Sequence, residues 1–122
     1  CGVNNETKCP LYHGEISAIH NFYERGLAEK VNASECIFLS THEPCSMCLS
    51  AIAWSGFRRI YYFFAYETTS STFNIPHDIN ILEQVFNKTS KSYYNKRNQY
   101  FTSQHIVRMI ESITDVGKRQ ML

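Results

Sequence analysis

The stretch Glu43-Pro44-Cys45-Ser46-Met47-Cys48, read together with His13-Gly14-Glu15 upstream of it, constrains this chain more than any other feature. One imidazole and two thiols are the donor set of a metal with three protein ligands and a vacant fourth position, and zinc is the ion that such soft donors suit. Glu15, two residues past the histidine, is a carboxylate able to carry a proton at that vacancy. The two segments must therefore sit on elements that converge on one point.

The surrounding pattern says which elements these are. Leu11, Ile16, Ala18, Ile19, Phe22 and Tyr23 recur at helical spacing between Pro10 and Gly26, which puts His13 and Glu15 in a first helical turn. Residues two apart do not share a helix face, so both reach one atom only if it lies off the helix N-terminus, where the dipole also favours an anion. Pro44 marks the start of a second helix that runs to about Ser55 and stops at Gly56. Cys45 and Cys48 share one face of its N-terminal turn, where unpaired backbone amides stabilise thiolates.

Apolar runs at Glu35 to Thr41 and Arg59 to Tyr66 flank this helix and read as buried strands. Two continuous apolar strands joined through a helix imply parallel neighbours in a sheet covered on both faces, an α/β architecture. Cys1 to Asn5 reads as the tail of a strand entering a loop. Downstream, Thr68 to Thr72 is a hydroxyl-rich loop, and Ile79, Leu82, Val85 and Phe86 form a helix with Asp78 as N-cap. Asn87 to Asn98 carries no clear pattern, while Ser103 to Ile113 has helical spacing. The expected organisation is one domain over 1–122, with a motif-bearing core at 1–86 and a helical C-terminal extension at 87–122.

Composition narrows the partners. With 43% apolar and 14% aromatic residues the chain can bury a core, and a net charge of +1 exerts no long-range pull on a polyanion. Nucleic acid is therefore a secondary option, and Arg58, Arg59, Lys91, Lys96 and Arg97 are expected to form a solvated face. Two of the five cysteines belong to the motif, and Cys1, Cys9 and Cys36 have no regular spacing, which argues against a disulfide framework and for a reducing, cytoplasmic setting. No apolar run approaches a membrane span, and no signal-type pattern opens the chain. The Asn-x-Ser/Thr triplets at Asn5, Asn32 and Asn87 are then chance matches.

Other readings of the motif remain. A Cys-x-x-Cys pair also serves structural zinc, which needs a fourth protein ligand. His42 is the nearest rival for that place, followed by His20 and Cys36. His77 and His105 read as ordinary core or surface histidines, and Tyr61 to Phe64 as core.

His13-Gly14-Glu15 followed by Pro44-Cys45-Ser46-Met47-Cys48 resembles the signature of the cytidine and deoxycytidylate deaminase superfamily. Glu43 to Cys48, Ala51-Ile52 and Ile60-Tyr61-Tyr62 are similar to the branch holding guanine deaminases and tRNA adenosine deaminases, and His13 to Ser17 is similar to fungal-type cytosine deaminases. The likeness covers roughly Gly2 to Phe86. It implies a three-layer sandwich around a mixed sheet, of which an N-terminal helix and two strands are expected to be missing from this chain. It also implies one zinc per chain held by His13, Cys45 and Cys48, with Glu15 as proton shuttle in hydrolytic deamination. Backbone at Gly14 would contact the ring, as would Asn4 or Asn5, with Asn4 ahead. The implied substrate is a free base or nucleoside, guanine before cytosine, turned over by a homodimer. A tRNA adenosine deaminase and a non-catalytic zinc module are the alternatives.

Overall fold

The computed structural model describes residues 1–65, 75–87 and 96–121. The loop expected at Thr68 to Thr72 lies outside these residues, as do Tyr66, Lys91 and most of the unpatterned stretch before Asn98.

Helix α1 spans Gly14–Glu24, with His13 in extended conformation at its N-cap. A short helix α2, Leu27–Lys30, and a 3-10 turn at Ala33–Glu35 lead into strand β1, Ile37–His42. Helix α3 then runs Ser46–Ser55 and ends at Gly56, whose φ of 91° is the left-handed conformation that closes a helix at little cost only for glycine. Strand β2 is Arg59–Phe64, helix α4 is Ile75–Val85, strand β3 is Thr102–His105 and helix α5 is Ile106–Met121.

The three strands stand in the order β1-β2-β3, and both pairings are parallel. The crossover from β1 through α3 to β2 is the arrangement expected from the two apolar runs. Where the resemblance implied a mixed sheet, every described pairing in the sheet is parallel. Register places Phe38 beside Ile60 and Ile60 beside Ser103, and one step along it places Ser40 beside Tyr62 and Tyr62 beside His105. Side chains two apart in a strand point the same way, so these two rows share a face.

On that face sits the core. Phe38, Ile52, Phe57, Ile60 and Phe101 are buried together, with Ala18, Ile19 and Phe22 of α1 and Leu49 and Ala53 of α3 packed against them. Phe57 stands edge-on to both Phe22 and Phe38, with ring centroids 5.3 Å apart in each case. This brings α1 and α3 side by side, with their N-termini available to one site.

Four expectations are corrected. The apolar strands are not covered on both faces, for β1 alternates and its outward Ile37 and Leu39 are 57% and 59% exposed. Cys1 to Asn5 forms no strand; it runs against α1, so close at Gly2 that an added Cβ would stand 2.1 Å from the Ala18 amide nitrogen. Asp78 lies inside the first turn of α4 instead of capping it. Ser103 to His105 belongs to β3, because pairing with Arg59 to Tyr62 satisfies a backbone whose own side chains are too polar to signal a strand.

Ile52 is fully buried at the centre of this core. Ile52→Ala is expected to lower unfolding stability by about 2–5 kcal/mol, read as a drop in the urea midpoint. A shift equivalent to less than about 1 kcal/mol would contradict the core assignment.

Candidate metal centre

His13 and Cys45 hold equivalent positions, each the extended N-cap of its helix. Because α1 and α3 pack together, these caps meet: His13 Nδ1 stands 3.6 Å from Cys45 Sγ. Cys48, one turn into α3 and fully buried, completes the group, and the ligand atoms of His13, Cys45 and Cys48 all lie within 4.8 Å of one another. The three residues predicted as ligands are thus brought together by the fold.

Electrostatics within the group follow from this closeness. The Cys45 thiol is pushed down to about 6, first by a hydrogen bond from the Cys48 thiol and further by the Cys48 backbone amide and His13, against the opposing pull of burial and Asp78. The Cys48 thiol is pushed up by the same hydrogen bond, then by burial and by the charge of Glu15. Cys45 thus leans toward thiolate and Cys48 toward thiol, and a divalent cation among them would displace the remaining proton. Two thiolates and an imidazole form a soft donor set that suits zinc and disfavours magnesium or calcium. The side chains present fit the ion.

Glu15, in the first turn of α1, is no member of the ligand group but stands close enough to Cys48 to raise its thiol. Its Oε1 lies 3.0 Å from the hydroxyl of Ser40, a buried side chain on β1. The same hydroxyl lies 2.6 Å from the carbonyl of His42. A serine hydroxyl has one proton, so it donates to one of these oxygens at a time while keeping lone pairs to accept from the other side chain.

The rivals for a fourth ligand are elsewhere. His42 Nδ1 is 2.9 Å from Thr41 Oγ1 and its ring lies 5.2 Å from that of Phe64. His20 pairs with Glu24 on the exposed side of α1, and the Cys36 thiol points to the carbonyl of Asn32. Among the described residues, none of these joins the group. Asn4 is exposed, and its side-chain oxygen accepts from the Glu6 amide at 3.0 Å. At Gly14 an added Cβ would meet nothing nearer than 3.7 Å, so packing does not demand a glycine there.

Three contributors were not legible in the motif. Glu6 Oε1 lies 2.8 Å from His13 Nε2. Asp78, buried on α4, accepts from the Ser46 amide at 3.2 Å and from the Ser46 hydroxyl, so the first turn of α3 is capped by a carboxylate from another helix. Lys96, expected on a solvated face, instead neutralises buried Glu43 directly before Pro44 and lies 5.1 Å from the Tyr62 ring centre. Burial and the Glu43 charge push the Tyr62 phenol up. A buried carboxylate without such a partner would be costly, which is why this lysine turns inward.

A soft histidine-cysteine-cysteine group at two helix N-termini, set against a parallel α/β sheet, points to a metal-binding domain of the zinc type. The family model for the cytidine and deoxycytidylate deaminase zinc-binding region matches residues 1–64, more than half of the chain, and the protein belongs to that family. No curated protein and no solved structure matches the chain significantly. Membership points to a zinc-dependent hydrolytic deaminase.

Asp78→Ala removes the cap of α3 while leaving the three donors in place. It is expected to lower stability by about 1–3 kcal/mol, the usual loss for a buried hydrogen bond to a charged group. Chemical denaturation of the metal-free protein checks this, and an unchanged midpoint would show that Asp78 does not support α3.

Proposed function

We propose that this domain is a zinc-dependent hydrolytic deaminase that releases ammonia from a nucleobase or nucleoside, guanine-type first and cytosine second, within a three-layer α/β/α sandwich. The observation that carries the reading is the close approach of His13, Cys45 and Cys48 beside a carboxylate that is not one of them.

In this reading His13, Cys45 and Cys48 hold the ion. Zinc supplies Lewis acidity when bound, making water nucleophilic near neutral pH. Glu15 does the proton work: its carboxylate takes a proton from the attacking water and passes it to the ring nitrogen, then takes the second proton from the hydroxyl added at the ring carbon and passes it to the amine, which departs as ammonia while the ring carbonyl forms. Ser40 holds Glu15 Oε1 and can serve the carboxylate as donor or the carboxylic acid as acceptor, which keeps the group in one place through the proton cycle. With its carbonyl oxygen turned to the Glu6 amide, Asn4 offers its NH2 group to a ring acceptor. Backbone at Gly14, which lines a cavity together with Glu15 and Ser40, contacts the ring in this reading.

A small substrate is favoured over a polynucleotide by what the cations do. Lys96 is neutralised by Glu43, Arg58 and Arg59 each place one NH2 group on a backbone carbonyl, of Gln99 and of Glu35, and the net charge of +1 exerts no long-range pull on a polyanion. The five cysteines are unbridged, which fits a reducing compartment. Among the described residues no helix is long and apolar enough to cross a membrane. A homodimer belongs to the same reading, and Trp54 on α3, 90% exposed, is available to such a contact.

Ammonia release by zinc-loaded protein from a panel of purines, pyrimidines and their nucleosides tests the reaction, with tRNA as the comparison substrate. Glu15→Gln should keep its zinc by metal analysis while turnover falls by roughly 10²–10⁴-fold; unaltered turnover would remove Glu15 from the chemistry. Cys45→Ala should be purified without stoichiometric zinc, and full occupancy in that variant would end the ligand assignment.

A further inference from the structure

Among neutral side chains that bind metals, imidazole alone must choose which of two nitrogens to leave bare. His13 has a different neighbour at each. Nδ1 faces Cys45 Sγ at 3.6 Å, and Nε2 faces Glu6 Oε1 at 2.8 Å. A ligand nitrogen carries no proton, so the ring is ready for a metal beside Cys45 only when its proton sits on Nε2, where Glu6 accepts it.

We propose that Glu6 is the positioning residue of the metal centre, the outer carboxylate that fixes both the tautomer and the rotation of His13. The inference rests on the reading of His13, Cys45 and Cys48 as zinc ligands. Rotating the ring by half a turn about Cβ–Cγ would put the carbon Cδ2 in place of Nδ1 beside Cys45 and the carbon Cε1 in place of Nε2 before Glu6, so the carboxylate selects the one of two sterically alike orientations that presents nitrogen at both places.

The backbone shows how residues seven apart come to face each other. Asn5 N–H donates to the Tyr12 carbonyl at 2.7 Å, pinching the segment between them into a closed loop. Inside it, the amides of Lys8 and Cys9 both donate to the Asn5 carbonyl, and Tyr12 N–H donates to the Cys9 carbonyl. Glu6 N–H is tied to Asn4 Oδ1. Glu6 thus leaves the loop next to where His13 enters α1. The side chains of Glu6 and His13 are 37% and 26% exposed, at the rim of the site, where a hydrogen bond from imidazole to a carboxylate contributes little to global stability but can still orient a ring.

The test compares wild-type protein with Glu6→Gln and Glu6→Ala. Zinc affinity is measured by competition with a chromophoric chelator, and the His13 tautomer by long-range proton–nitrogen NMR on the metal-free and zinc-loaded forms. Glu6→Ala should weaken zinc binding by about 10–100-fold and lose the preference for a proton on Nε2, while Glu6→Gln, which keeps an acceptor oxygen, should recover part of both. Affinity in Glu6→Ala within about twofold of wild type would overturn the proposal. So would weakened binding that Gln does not restore and that leaves the tautomer unchanged, since that pattern belongs to a merely structural residue. Wild-type protein that binds no zinc would refute the ligand reading instead, and the metal-free NMR comparison would still judge Glu6 by itself.

Discussion

Everything at the metal centre depends on packing two helices so that their N-termini arrive together. The contact is apolar, with Ala18, Ile19 and Phe22 of α1 and Leu49, Ile52 and Ala53 of α3 resting on Phe38 and Ile60 of the sheet. Its consequence is electrostatic. Each helix end carries roughly half a positive charge, and here both point to a place holding two thiols and the carboxylates of Glu15 and Asp78. The Cys48 thiol, with the Cys48 amide and His13, draws the Cys45 sulfur toward thiolate, and that same hydrogen bond, burial and the Glu15 charge keep the Cys48 sulfur protonated. The core therefore sets the distances within the donor group, and those distances suit a divalent cation.

That chain of cause explains which features were legible in the sequence. Local signals stated themselves: the helical spacing before Gly26, the stop at Gly56 and the donors at positions 13, 45 and 48 all depend on neighbours a few residues away. What escaped were pairings across distance. Glu6, Asp78 and Lys96 look like ordinary surface charges until the fold sets them against His13, Ser46 and Glu43. Asp78 shows this most clearly, since an acidic residue near a helix start reads as its cap, and here it caps a different helix. Strand β3 escaped for another reason: Thr102, Ser103, Gln104 and His105 show no apolar alternation, and their strand state is imposed by β2.

The family match ends at residue 64, yet two of the supports for the metal loop come from beyond it. Asp78 reaches back from α4 to Ser46, and Lys96, next to the turn that enters β3, reaches back to Glu43. These residues bracket Pro44 and Cys45, so the loop is held at both sides by charges from the second half of the chain. The two supports work in opposite senses on the site. Lys96 cancels a buried negative charge, whereas Asp78 brings one in and opposes the thiolate at Cys45. Asp78 strengthens α3 as an anion at its N-terminus while making the metal-free donor set more negative, and a bound dication would relieve that second effect. The first 64 residues thus carry the His13, Cys45 and Cys48 group and Glu15, and the later ones supply the charges paired with the loop that holds Cys45. A motif can be read without its supports, but the site it forms is a property of both halves of the chain.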